Sequence, residues 1–203
     1  MCLNTSQGPL FIVPFFWGSN DIKTGEKWLE MVTSLAPVTA HSVTTTTLPA
    51  WLDTNSELLP EKMQGTLHTI SLGTLTDDVV DVLSSRAPKT AEDPVAMLNI
   101  HQMRGTSAGS KSNLVFNARA PHYMFEIASV VDGTGDSDRW ARGLHDALAN
   151  TDLGNILTAT YISLTAPEEV DVSKTYGEHL VFLQEMKRER DPDNAFGNAL
   201  PQF

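Results

Sequence analysis

An α+β fold, with an antiparallel sheet carrying helices on one face, is predicted by three features of the sequence. Short β-branched and aromatic runs bounded by Gly, Pro and Asn alternate irregularly with stretches of helical periodicity. The later strands follow one another as hairpin-like neighbours. Along each strand, apolar residues alternate with mixed ones at a period of two, which gives the helices one sheet face and leaves the other to form a pocket. The 203 residues suffice for one compact core, so a single domain over 1–203 is expected.

Leu10 to Trp17 is rich in β-branched and aromatic residues and ends in Gly18-Ser19-Asn20, which predicts a strand and a turn. Trp28, Met31, Val32 and Leu35 then recur at helical spacing, so a helix opened by Thr24 and closed by Pro37 is expected. His41 to Leu48 carries four consecutive threonines and reads as a strand. A short helical or looped segment follows to about Lys62. Leu67 to Leu72 is predicted as a strand. Thr76 to Ala87 is predicted as a helix, because Thr76 can cap it and Asp77 and Asp78 suit the positive end of its dipole. Strands over Val95 to Arg104 and Tyr123 to Val131 flank the Gly/Ser stretch Gly105 to Ser112. A helix from about Arg139 to Ala149 with Asp136 to Asp138 as its cap, a strand over Leu157 to Leu164 and a helix over Ser173 to Arg190 complete the chain.

A formal charge of −11 opposes binding to nucleic acid or an anionic membrane, since both are driven by Lys and Arg displacing counterions. The lone Cys2 has no disulfide partner, which suits a reducing, cytoplasmic setting. The apolar run Pro9 to Trp17 holds two prolines and no basic flank, unlike a signal peptide. The six histidines lack H-x-x-x-H or H-x-H spacing, so no metal site is expected.

On the strand Val95 to Arg104 one face carries Ala96, Leu98 and Ile100, and the other Met97, Asn99, His101 and Met103. Around Glu126 one face carries Tyr123, Phe125 and Ile127, and the other Met124, Glu126, Ala128 and Val130. The mixed faces have the make-up of a pocket lining, so Met97, Asn99, Met103, Met124 and Ala128 are candidate substrate contacts, with Arg119 and His122 at the mouth. Two readings of Glu126 follow: a hydrated carboxylate at a sheet edge, or a partly desolvated acid–base group.

The tail Tyr176-Gly177-Glu178-His179 through Leu183, Lys187, Asp191-Pro192-Asp193-Asn194 and Phe196, within 174–203, resembles the terminal motif of berberine-bridge-enzyme-like FAD-linked oxidases. Phe15-Phe16-Trp17-Gly18 resembles the first strand and turn of that family's substrate domain, which adds Trp17 to the candidate substrate contacts. Trp51-Leu52-Asp53 is similar to its W-x-D element, Met124 to Ile127 to its carboxylate-bearing strand, and Thr160 to Leu164 to its YxN strand. The resemblance covers nearly the whole chain in order and implies a substrate domain. The family's flavin-binding half has no counterpart, and its Asn in YGxN is His179 here.

No cofactor is therefore expected, with FAD implied only where a separate flavin domain supplies it. Glu126 is the candidate general acid or base, Tyr161 a hydrogen-bond donor, and His101 or His179 the second proton-transfer group. Three functions are compatible with these residues. They are a cofactor-independent cyclase, pericyclase or isomerase of secondary metabolism; half of an FAD-dependent oxidoreductase; and a non-catalytic binder of a hydrophobic small molecule. A sheet face left bare by a missing flavin domain also implies a homodimer.

Overall fold

The computed structural model describes residues 1–5, 8–56, 64–89, 96–105, 115, 119–129, 135–157, 161–166 and 169–198. The chain forms two compact units, one of residues 1–11 with 64–203 and one of residues 12–63.

The larger unit is built on a five-stranded antiparallel sheet. Its strands are β1 (Cys2–Thr5), β2 (Gly8–Phe11), β3 (Leu67–Leu72), β4 (Met97–Met103) and β5 (His122–Ala128), in the spatial order β2-β1-β4-β5-β3. The sequence reading of β3 holds to the residue. The strand expected over Leu10 to Trp17 does not form; its first two residues instead end the hairpin of β1 and β2. Glycine at φ 110° opens β2 at Gly8, a left-handed conformation that needs no Cβ to be accommodated.

On one face, Leu72, Leu98, Phe125 and Ile127 are buried in a core shared with α3 (Asp77–Arg86) and α4 (Asp136–Ala149). Val79 of α3 and Ala141, Leu144 and Leu148 of α4 supply the helical side of this core. Burying each large apolar side chain contributes about 1.5–3 kcal/mol. Thr76 caps α3 as expected, its hydroxyl accepting from the Val79 amide. The Trp140 indole donates to the Arg86 carbonyl at 3.1 Å and ties α4 to α3. The cap of α4 differs from expectation: Gly135 at φ 75° is the N-cap, and Asp136 and Asp138 sit inside the first turn. α4 lies over β3 and β5 and α3 packs against α4, while Ile100, on the same face of β4, is 41% exposed rather than buried.

Beyond β3 the chain departs from the sequence reading. Ile156 makes an isolated bridge to Leu72, and a 3-10 turn covers Ile162–Leu164, so the strand expected over Leu157 to Leu164 is not seen among the described residues. Two threonines, β-branched and strand-favouring in the abstract, lie outside the described residues at 158–160. The helix expected over Ser173 to Arg190 is divided into α5 (Val172–Tyr176), a 3-10 turn (Gly177–His179) and α6 (Leu180–Arg190). Gly177 at φ 52° reverses the backbone and causes the break.

The smaller unit holds α1 (Ile22–Thr33) and α2 (Leu48–Ser56). Asp21, not Thr24, caps α1, its carboxylate accepting from the Thr24 amide and hydroxyl. The Trp17 indole donates to the Asp21 carbonyl at 2.9 Å and lies against Gly25, where an added Cβ would come within 2.7 Å of the ring. Phe16 meets Trp51 edge to face at 4.6 Å. The strand expected over His41 to Leu48 is irregular chain up to Leu48, which opens α2, and its threonines are exposed with no neighbouring strand among the described residues to reward their β preference.

Candidate functional site

Glu126 occupies the middle of β5, which is flanked by β4 on one side and β3 on the other. It pairs in register with Asn99 of β4 and Thr69 of β3. The reading of Glu126 as an edge carboxylate is thereby excluded. Because side chains alternate, Asn99, His101 and Glu126 share the sheet face opposite the core of Phe125 and Ile127.

These three side chains converge on one atom. Asn99 Nδ2 donates to Glu126 Oε2 at 3.0 Å, and His101 Nε2 lies 2.9 Å from the same oxygen. A carboxylate only accepts, so the amide nitrogen and a protonated Nε2 must face it, which leaves His101 Nδ1 as the bare nitrogen of the neutral ring. The carboxylate is 16% exposed and the imidazole 43%, so the acid is held largely inside while its partner opens to solvent. Met97 approaches the Asn99 amide through its sulfur at 3.7 Å, a weak contact that helps orient it.

The other expected residues divide. Met124 and Ala128 share the Glu126 face of β5 but are buried, whereas Met103 is 40% exposed and Met97 is half-buried. His122 is buried, with Nδ1 donating to the Ala120 carbonyl at 2.7 Å. Arg119 has a buried Nε without a described partner. Tyr161 and His179 have no hydrogen bond to Glu126 or His101. Tyr161 precedes a 3-10 turn rather than lying on an adjoining strand, and its carbonyl accepts from the Thr165 hydroxyl. His179 ends the turn before α6. Trp17 belongs to the unit of residues 12–63. Val130 lies outside the described residues.

A second imidazole–carboxylate pair was not anticipated. His68 of β3 is buried on the core face, with Nδ1 3.2 Å from Glu169 Oε1 and Nε2 buried without a described partner. Its ring centroid is 5.7 Å from that of His145 on α4. Strand alternation places His68 among apolar residues, but nothing local in the sequence signals a partner 101 positions away. A cleft of about 500 Å³ opens at this edge of the sheet, with His68, Thr69, Arg142, His145 and Glu169 among its walls, rather than over Glu126. Nearby, the Arg142 guanidinium holds the Asp138 carboxyl below the usual carboxylate range through their hydrogen bond. Burial pushes the Cys2 thiol up, which suits an inert core thiol rather than a nucleophile. Among the described residues, no group of three metal-ligating side chains is assembled.

The C-terminal motif is a folded turn. Asp191 accepts from the Ala195 amide at 2.6 Å and from the Phe196 amide at 3.2 Å, and Lys187 pairs with the same carboxylate. The Lys187 ammonium holds the Asp191 carboxyl below its ordinary range, and the two amide donors act in the same direction. Asn194, at φ 52°, provides the left-handed residue that closes the turn.

No family model matches the chain. It is similar to the FAD-linked oxidoreductase aurO of Gibberella zeae, with 25% identity over 174 residues covering 84% of this chain and 34% of that protein. The chain thus spans about a third of the length of the curated relative it matches. This supports a relation to FAD-linked oxidoreductases. No described helix is long and apolar enough to cross a membrane.

Phosphates are commonly received at helix N-termini. Three of the described helices, α1, α3 and α4, carry Asp21, Asp77 and Asp78, and Asp136 and Asp138 at that end, whereas α2 and α6 begin without an acidic residue in the first turn. These carboxylates favour the positive helix end themselves and repel a phosphate. No step below is routed through a flavin.

Proposed function

We propose that this chain is a proton-transfer enzyme built on the substrate domain of a berberine-bridge-type FAD-linked oxidase, acting without a bound cofactor. It takes a hydrophobic small molecule against the Glu126 face and catalyses a cyclisation, pericyclic closure or double-bond isomerisation. The observation that carries this reading is the convergence of Asn99 and His101 on one oxygen of a largely buried carboxylate.

The chemistry is acid–base. Glu126 removes a proton from a carbon or oxygen acid; the new O–H bond replaces the substrate's bond to hydrogen, and its electron pair delocalises into the substrate's conjugated system. Return of that proton to a different atom completes an isomerisation with no external oxidant or reductant. His101, hydrogen-bonded to the carboxylate through Nε2 and open on its other side, relays the proton or donates to a developing oxyanion. Met97 and Met103 supply adaptable apolar contact. For a ring closure, holding the reacting ends together removes much of the entropic barrier, an effect that reaches about 7–11 kcal/mol in well-oriented systems.

A second reading, the substrate-binding part of a flavin oxidoreductase whose flavin-binding part is supplied elsewhere, is favoured by the printed activity of the aurO relative and by the fraction of that protein this chain spans. Two measurements separate the readings. Purified protein is titrated with FAD while flavin fluorescence is followed, and stoichiometric, tight uptake favours the second. Deuterium uptake from heavy water into a panel of cyclic β-diketones and enones is then compared between the wild type and Glu126→Gln. Exchange that depends on Glu126 supports the first reading, and equal exchange in the two proteins overturns it. The first reading also expects a homodimer, which light scattering tests.

A further inference from the structure

Both hydrogen bonds to Glu126 from its neighbours end on the same oxygen. Asn99 Nδ2 and His101 Nε2 donate to Oε2, and no described residue donates to Oε1. The two oxygens of one carboxylate are therefore unequal. Oε2 is fixed by an amide directly across the strand pair and an imidazole one diagonal step away, both on β4. Oε1 keeps its lone pairs.

We infer that Asn99, which the sequence suggested as a substrate contact, is a positioning residue that commits Oε2 as an anchor and makes Oε1 the proton-accepting atom. This rests on the proposed acid–base role of Glu126. A carboxylate free to rotate about its last torsion offers either oxygen, and must be immobilised at the moment of reaction; two donors on one oxygen complete that ordering beforehand. Removing either donor takes away a hydrogen bond that favours the ionised carboxylate over the neutral acid. Asn serves better than a second acid here, because a carboxylate at position 99 would face Glu126 directly across the strands and repel it.

The test uses the full chain and a probe that reports carboxylate bases without knowledge of the natural substrate, 5-nitrobenzisoxazole. In its ring opening the base takes the C3 proton, the C3–H electron pair becomes the third bond of the nitrile, and the N–O bond breaks with its pair leaving on the phenolate oxygen. The coloured phenolate gives kcat/KM as a function of pH. The expected wild-type rate exceeds that of free acetate at equal concentration and is lost in Glu126→Gln. In Asn99→Ala the acid limb of the profile moves up by about one pH unit, a tenfold lower rate on that limb, while the high-pH plateau falls by less. Asn99→Asp, isosteric and so preserving the packing, moves the limb further in the same direction.

A residue that merely supported the fold would lower the rate at every pH in the alanine variant and be replaced without effect by aspartate. An Asn99→Ala profile superimposable on the wild type, or a uniform loss across pH that Asn99→Asp restores in full, overturns the positioning role while leaving Glu126 as the base. A wild-type rate no greater than acetate, or one that survives in Glu126→Gln, overturns the acid–base reading itself and the positioning role with it.

Discussion

His101–Glu126 and His68–Glu169 are the same chemical pair placed on opposite faces of one sheet, and their burial is inverted. On the Glu126 face the carboxylate is 16% exposed and the imidazole 43%; on the core face the imidazole is 1% exposed and the carboxylate 33%. The consequence lies in which group meets solvent. At Glu126 the charge is held inside by two donors while the exchangeable ring faces outward, the arrangement that a proton relay needs. At His68 the ring is buried beside His145 of α4 on the wall of the cleft, its Nε2 without a described partner, and the Glu169 carboxylate meets Nδ1 from the more exposed side. Such a pair can join β3 to the segment around residue 169, but a substrate has no access to its free nitrogen. Hydrogen bonding alone does not distinguish the two, because both geometries fall near 3 Å; exposure does.

The largest expected effect separates the pairs by activity. Glu126→Gln keeps the shape and the hydrogen-bond capacity of the side chain but removes the base, so deuterium uptake into the carbon-acid panel falls by at least about 10²-fold. Glu169→Gln changes the same assay by less than about twofold. If Glu169→Gln proves the more damaging, the functional pair is the one at the β3 edge and the assignment of faces reverses.

Stability runs the other way and gives the next effect. His68→Ala opens a cavity beneath α4 and strips Glu169 of its partner, with an expected loss of about 2–4 kcal/mol in urea unfolding. His101→Ala removes a half-exposed ring from a solvent-facing pair and costs less than about 1 kcal/mol. Equal losses at the two positions would mean that the sheet faces are covered alike.

What the sequence disclosed follows the same division between local and distant information. Period-two alternation sufficed to put Asn99, His101 and Glu126 on one face and Phe125 and Ile127 on the other, because that pattern is a property of each strand alone. It did not reveal that the donors end on a single oxygen, which depends on the register of β4 against β5. Nor did it reveal His68–Glu169, whose partner arrives from a loop 101 residues later. The helix cap was legible at Thr76, was placed three residues late at α1, where the Asp21 side chain rather than Thr24 makes it, and was misplaced at α4, where Gly135 is the cap. The threonine run before Leu48 failed as a strand for a tertiary reason, since β preference yields little stability without a neighbouring strand to pair with. Tyr161 was assigned to the site by its place in a motif, and motif position carries no information about the 3-10 turn that follows it.

The smallest effect concerns a carboxylate whose work is purely local and so provides the control for both pairs. Asp191 gathers the Ala195 and Phe196 amides and the Lys187 ammonium, and these partners hold its carboxyl below the ordinary range. A group depressed in the folded chain contributes its stabilisation in full above the unfolded value of about 3.9 and loses it as pH falls through the lower folded value. The amide resonances of Ala195 and Phe196 should therefore hold their native positions from pH 7 down to about 4 and move only below that. Asp191→Asn, which keeps an acceptor but discards the charge, should loosen this turn at neutral pH while leaving the unfolding midpoint of the sheet within measurement error. A shift of those amides near pH 6 would show that the turn answers instead to a group other than Asp191.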